Sequence, residues 1–172
     1  MELCQVPDKA QEADINRLMD QHGDGLLRFC YLNLGDLHLA QDAVQEAFVK
    51  AHRNYHTFRG ECNEMSWLCA IAINCCRDIR RSKWFRNESG RSLEELPETG
   101  EEFKANDDTL INEVMNLPRK YREVILLHYY QGISLREIAQ IQSINESTLS
   151  TRLKRAREKL KSKLEGWYFD EE

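Results

Sequence analysis

Prolines stand at only three positions of this chain, 7, 97 and 118, and eight glycines are spread along it. Proline removes a backbone donor and glycine raises the entropy cost of ordering, so helices stop at such residues. Runs of β-branched residues are also scarce, which leaves little from which to build sheets. The chain is therefore read as all-α. Its 172 residues suffice for one ordinary domain or two very small helical ones. Hydrophobic residues make up 41% and charged residues 31%, the balance of a folded chain rather than a disordered one.

Apolar spacing divides the chain into two helical blocks, 15–85 and 107–165, joined by 86–106. The opening helix is expected to end near Gly35, a residue suited to a left-handed cap. Val44, Ala47, Phe48, Ala51 and Tyr55 then form one buried stripe at helical spacing. A loop is expected over Thr57–Ser66. The helix after it turns Trp67 or Leu68, Ile71, Ala72, Cys75 and Ile79 inward. Residues 86–106 carry Ser, Gly, Pro and many acids with no apolar period, which reads as a flexible linker.

In the second block Tyr121, Val124, Ile125, His128 and Tyr129 share one face, closed by Gly132. Ser134-Leu135-Arg136-Glu137 has the form of a capping box, in which serine accepts a backbone N–H and glutamate reaches back. A short helix to about Gln142 follows, then the turn Ser143-Ile144-Asn145. Leu149, Leu153, Ala156, Leu160 and Leu164 make a last long amphipathic helix, expected to stop at Gly166.

Net charge is −5, which by itself argues against a nucleic-acid partner. The distribution reverses that. Residues 77–91 hold six cations against two acids, and residues 152–163 hold seven against one. Between them, residues 94–108 hold seven acids against Lys104. Two basic patches separated by an acidic connector say more than the total.

A short helix, a tight turn and a second helix at this spacing form a helix-turn-helix pattern. Burying Leu149, Leu153 and Ala156 puts Ser147, Ser150, Thr151, Lys154, Arg155 and Glu158 outward. Hydroxyls let a helix approach base edges closely, and cations supply contacts to phosphate or guanine. A solvated face on a packing helix would carry the same residues. In the first block Asp42, Gln45, Glu46 and Val49 recur at i, i+3, i+4 and i+7 on a face apart from the buried one. An apolar residue in an acidic stripe suits a basic, partly apolar protein groove, although one exposed valine is ordinary. Asn74, Arg77, Arg81 and Trp84 share a third outward face, offering an amide for a base edge, arginines for phosphate and a ring for stacking.

Leu117 through Ser134, followed by Glu137-Ile138-Ala139 and Thr148 to Leu160, resembles the fourth conserved region of bacterial RNA polymerase sigma factors. Leu39 through Ala51 resembles the segment of the second region that docks on polymerase. Phe58-Arg59-Gly60-Glu61 and Trp67-Leu68 resemble the loop and helix that melt and hold the −10 element. With both motif sets in order over about residues 15–165, the chain is similar to the extracytoplasmic-function subfamily of the sigma-70 family.

The resemblance implies a two-domain division of labour. A region 2 helical bundle (15–85) docks on core polymerase through Asp42, Gln45, Glu46 and Val49, against the β′ clamp helices. It reads opened −10 DNA through Phe58, Arg59, Asn74, Arg77, Arg81 and Trp84. A region 4 helix-turn-helix (107–165) reads the −35 duplex through Ser147, Thr148, Ser150, Thr151, Arg152, Lys154 and Arg155, and it meets the β flap. An anti-sigma factor is implied as regulator. Ile73 stands where relatives often carry a phosphate-contacting cation, so that contact is expected to be lost.

No enzyme signature is present: there is no phosphate-binding glycine loop and no nucleophile–base pairing. His52 and His56 at i, i+4, with Cys62, suggest a zinc site, but no CxxC pair exists and buried free cysteine is common. Neither metal nor cofactor is expected. No stretch approaches the ~18 apolar residues that span a bilayer, and Met1–Asp8 lacks the marks of a signal peptide. A cytoplasmic location without stable membrane insertion is expected, with six reduced cysteines. Two rivals remain at this stage. A stand-alone helix-turn-helix regulator leaves Asp42–Val49 and Phe58–Trp84 without a task, and a metal- or redox-sensing module would rest on the cysteines.

Overall fold

The computed structural model describes residues 9–60, 62–86 and 109–168 of the chain. Among them the regular elements are helices: α1 (Lys9–Leu34), α2 (Leu37–Asn54), α3 (Glu64–Arg86), α4 (Thr109–Met115), α5 (Arg119–Ile125), α6 (Leu135–Gln142) and α7 (Glu146–Tyr168). A 3-10 turn, Tyr55–Thr57, follows α2, and α5 continues as a π-helical turn over Leu126–Tyr130. The connector 86–106 lies, apart from Arg86, outside the described residues.

Helices α1, α2 and α3 pack mutually into a first lobe. Helix α1 ends as expected: Gly35 takes φ 72° and its N–H returns to the Tyr31 carbonyl at 2.8 Å. Asp36 restarts the chain by accepting from the Leu39 N–H at 3.0 Å, which caps α2. Along α2 the buried strip is Ala40, Ala43, Ala47, Phe48 and Ala51, mostly small side chains that let its neighbours approach closely. Val44 and Tyr55 are half-buried and pack against the same core, Tyr55 from the 3-10 turn into which α2 tightens. Leu18, Leu26 and Phe29 of α1 and Leu68, Ala72 and Ile73 of α3 fill the space between, all fully buried. Each such leucine or phenylalanine is worth about 1.5–3 kcal/mol of transfer free energy.

Asn63 starts α3, its side chain accepting from the Ser66 N–H at 2.7 Å. A second clasp ties that start to α1. The Arg17 guanidinium grips the Glu64 carboxylate at 2.6 and 3.0 Å, with His22 Nε2 at 3.4 Å. Arg17 and, less strongly, His22 hold that carboxyl below the usual range, against the opposing effect of burial.

The second lobe packs α5, α6 and α4 against α7. Its capping box is complete. Ser134 Oγ accepts from the Glu137 N–H, and the Ser134 N–H donates to Glu137 Oε2 at 3.0 Å. Helix α6 ends at Ser143, held in the left-handed region at φ 53°, where a glycine would sit without strain. Two expectations need correction. Tyr129 is 57% exposed rather than buried, because the π-helical turn advances the register by one residue and rotates it off the Tyr121–Val124–Ile125 face. Helix α7 also runs through Gly166 to Tyr168, since one glycine weakens a helix without necessarily ending it.

Candidate functional site

Three surfaces carry the residues singled out from the sequence. On α2, Asp42, Gln45, Glu46 and Val49 are all exposed, Val49 by 43%. They do not stand alone. A groove of about 1100 Å³ runs between α1 and α2, lined by Asp42, Gln45 and Val49 together with Ile15, Met19, Leu27 and Phe48. Met19, 47% exposed, is the apolar counterpart of Val49 across it. The α1 wall was missed in the sequence. Ile15 and Met19 recur at i, i+4, but only the packing angle of α1 on α2 turns that pair into one side of a cleft. Glu46 is paired with Lys50 at 3.6 Å, and Lys50 with Asp78 at 3.5 Å.

The second surface surrounds the loop before α3. Phe58, Tyr55 and Trp67 cluster, with ring centroids 5.1 Å apart for Phe58–Trp67, 6.1 Å for Tyr55–Trp67 and 6.3 Å for Tyr55–Phe58. Trp67 is half-buried, packed against the core on one side and in this trio on the other, while Leu68 beside it is fully buried. Arg59 and Gly60 are exposed beside it, with Gly60 at φ 71°. Farther along α3, Asn74 is exposed and donates Nδ2–H to the Ala70 carbonyl at 3.1 Å, and Arg81 is exposed. Ile73, by contrast, is fully buried, so its position lies in the core and not on the outward face. The side chain of Trp84 lies outside the described residues, as does Glu61.

Arg77 is not free on that face. Its guanidinium reaches into the second lobe and pairs with Glu123, Nη2 donating to Oε2 at 2.6 Å and Nε to Oε1 at 3.4 Å. Arg119 adds a bond to Oε1 at 2.9 Å. Burial pushes the Glu123 carboxyl up, but Arg77 and then Arg119 outweigh it and hold the group below the ordinary glutamate range.

The third surface is the outer side of α7. Leu149, Leu153 and Ala156 face inward, while Ser147, Thr148, Ser150, Thr151, Lys154 and Arg155 are exposed and Arg152 is half-exposed. Thr151 Oγ is occupied by the Ser147 carbonyl at 3.0 Å, a local bond that holds the hydroxyl against the helix. Arg157, Lys159 and Lys161 follow on the exposed sides of α7 with Glu158 among them, and Lys163 pairs with Glu113 of α4 at 3.5 Å.

The cysteines give no such surface. Cys30, Cys69, Cys75 and Cys76 are buried in the first lobe. Burial pushes the Cys69 thiol up to about 12, and contact with Cys76 followed by burial raises that of Cys30. Such groups stay protonated and are poor nucleophiles at neutral pH. Among the described residues no cluster of three His, Cys, Asp or Glu side chains is arranged to hold a metal. His128 is a packed histidine, Nδ1 lying 2.9 Å from the Ile133 carbonyl. No described helix is long and apolar enough to cross a membrane.

Comparison with known proteins agrees with this layout. Residues 18–86 match the family described as Sigma-70 region 2, and residues 108–160 match Sigma-70, region 4. The chain is 33% identical over 162 residues to the ECF RNA polymerase sigma factor SigW of Bacillus subtilis (strain 168), covering 86% of this chain and 87% of that one. It is 31% identical over 163 residues to the ECF RNA polymerase sigma-E factor of Escherichia coli (strain K12), covering 84% and 82%. Among solved structures it resembles the sigma factor RpoE in complex with the anti-sigma factor NepR from Bartonella quintana. The TM-score there is 0.67 at 22% identity, over 88% of this chain and 97% of that one. CnrH, solved with the cytosolic domain of CnrY, gives a TM-score of 0.62 at 23% identity, over 90% of both chains. At those identities the two structures speak for the fold.

Proposed function

Since the chain belongs to the extracytoplasmic-function sigma factors of the sigma-70 family, we propose that its three surfaces divide the work of promoter-specific transcription initiation. The groove between α1 and α2 receives the β′ clamp helices of core polymerase. The Phe58–Trp67 loop and the outward side of α3 hold opened −10 DNA. Helix α7 reads the −35 duplex, and the second lobe meets the β flap. In this reading the chain catalyses nothing itself, RNA synthesis belonging to the polymerase.

One observation carries the docking assignment. Asp42, Gln45 and Val49 border an open apolar groove instead of lying on a flat solvated face, and Met19 supplies its other rim. An apolar floor with Asp24 and Asp42 on its rim, and His52 and Arg53 toward one end of α2, suits a helical partner with charged and apolar side chains. A stand-alone helix-turn-helix regulator has no use for this groove and leaves the match over residues 18–86 unexplained. RpoE has been solved with the anti-sigma factor NepR, and CnrH with the cytosolic domain of CnrY. By extension, an anti-sigma factor masks this chain's docking surfaces in the cytoplasm until a signal releases them.

Replacing both Asp42 and Glu46 with lysine is expected to abolish co-elution with core polymerase while leaving the circular dichroism unchanged. Unaltered co-elution of that double variant removes the docking assignment.

A further inference from the structure

One guanidinium of α1 holds the chain on both sides of the loop that carries Phe58, Arg59 and Gly60. Arg17 Nη2 donates to Glu64 Oε1 at 2.6 Å, and Nη1 donates to Glu64 Oε2 at 3.0 Å. Glu64 is the first residue of α3, on the far side of the loop. The Tyr55 hydroxyl is a further hydrogen-bond partner of the same guanidinium. Tyr55 begins the 3-10 turn on the near side. Three positions well apart in the chain thus meet at one side chain.

Arg17 is itself steadied from its own helix. Nη1 also donates to Gln21 Oε1 at 3.0 Å, and Nε lies 3.9 Å from Asp14 Oδ1. A planar fork engaged on several donors has little freedom left, and a lysine ammonium does not reproduce that geometry. Beside Glu64, Met65 lies against α1 where Gly25 has no side chain, since a Cβ there would stand 3.2 Å from Met65 Cε. The start of α3 is therefore fixed on α1 at two points. Ile15 and Met19 flank Arg17 in the chain but line the α1–α2 groove, whereas Arg17 does not. Its task is separable from docking.

What these stems carry is exposed. Arg59 and Gly60 face solvent, and Gly60 stands at φ 71° with nothing close to where a Cβ would be. The Phe58 N–H donates to the Tyr55 carbonyl at 3.0 Å, and the Phe58 and Trp67 rings meet from opposite sides of the loop at 5.1 Å. Both contacts depend on where Tyr55 and the first turn of α3 stand. Ordering a loop costs entropy, and a receptor already ordered before its ligand arrives binds more tightly for that reason.

We propose that Arg17 is a positioning residue for −10 recognition, gripping both stems of the loop so that Phe58 and Arg59 are presented in place to the opened strand. This rests on the −10 assignment of that loop. Arg17 does not itself touch DNA, and its effect passes through Tyr55 and Glu64. Affinity for opened −10 DNA then follows the fraction of chains in which the loop is formed.

The test uses holoenzyme assembled from core polymerase and the full-length chain, with a fork DNA whose −10 strand is unpaired. Arg17→Gln is expected to weaken fork binding about tenfold, as for a loop formed in about one chain in ten. Arg17→Lys keeps the charge, loses the fork and should weaken binding nearly as much. Glu64→Ala separates positioning from a direct charge contact. Removing that acid would tighten binding if Arg17 acted on phosphates, whereas here it should weaken it about three- to tenfold. Affinity for core polymerase should not change. In amide exchange of the free chain, Arg17→Gln should expose the Phe58 N–H while buried amides of α2 and α3 keep their protection. A rise in exchange throughout the lobe would show mere stabilisation and overturn the positioning role. Natural fork affinity in either Arg17 variant, or tighter binding by Glu64→Ala, overturns it as well. A natural holoenzyme that does not prefer the fork to fully paired DNA would instead remove the −10 assignment of the loop, and this consequence with it.

Discussion

Asn74 and Arg77 sit one helical turn apart on α3, yet their circumstances differ. Arg77 is engaged by a buried carboxylate, whereas Asn74 is exposed and makes only the local bond to the Ala70 carbonyl. That bond is easily exchanged, because an exposed side-chain-to-backbone bond contributes little net stability. In the proposed reading of α3, Asn74 offers its amide to one extruded base of the −10 element. Asn74→Ala is expected to reduce open-complex formation on a paired template about tenfold or more, the worth of one good base contact. On a template already mismatched at −10 the loss should be small, since the cost of opening has been removed. Permanganate footprinting on both templates reads this directly, and equal opening by variant and natural chain on paired DNA would discard the assignment.

Helix α6 shows how local chemistry sets an element. At its start Ser134 and Glu137 satisfy each other's backbone donors, and at its end Ser143 bears a left-handed conformation that serine adopts only at a cost. Substitutions at the two ends should thus act in opposite directions. Ser134→Ala is expected to cost about 0.5–2 kcal/mol, while Ser143→Gly should stabilise by about 0.5–1 kcal/mol by relieving strain at φ 53°. Urea unfolding of the two single variants measures both. A loss at Ser143→Gly would mean that the serine side chain contributes more than its backbone costs. Because α6 sets the angle of α7, the cap also bears on how the outward hydroxyls and cations of α7 are presented.

For the molecule as a whole, the seam between the lobes makes shape depend on pH. Arg77 and Arg119 hold the Glu123 carboxyl below its ordinary range. A depressed native pKa means that the pair's contribution is complete above the unfolded value of about 4.3. It is lost as pH falls through the lower native value. The lobes are expected to remain closed at neutral pH and to part on acidification below the ordinary glutamate range, before the helices melt. Scattering followed alongside circular dichroism would show the radius rising while helicity persists. In Glu123→Gln, which carries no titrating group there, the radius should not respond. A natural chain whose radius changes only as its helices unfold would contradict this account.

Much of the fold was legible because helices are local. Gly35 at the end of α1, the Ser134 capping box, the Ser143 turn and the Leu149–Leu153–Ala156 stripe depend on residues within a few positions of one another. Spacing alone could place them, along with the outward faces of α2 and α7. What spacing did not show depends on neighbours distant in the chain or on departures from ideal spacing. Tyr129 left the core because a π-helical turn shifted the register, and the ring partners of Trp67 lie on another segment. Met19 became part of a groove only through the packing of α1 on α2. Arg77 belongs to an outward face by periodicity, and no reading of α3 by itself reveals a carboxylate 46 residues later bonded to it at 2.6 Å. Periodicity assigns a side chain to a face. What covers that face is settled by how the helices pack, through burial and charge pairing that the order of residues does not display.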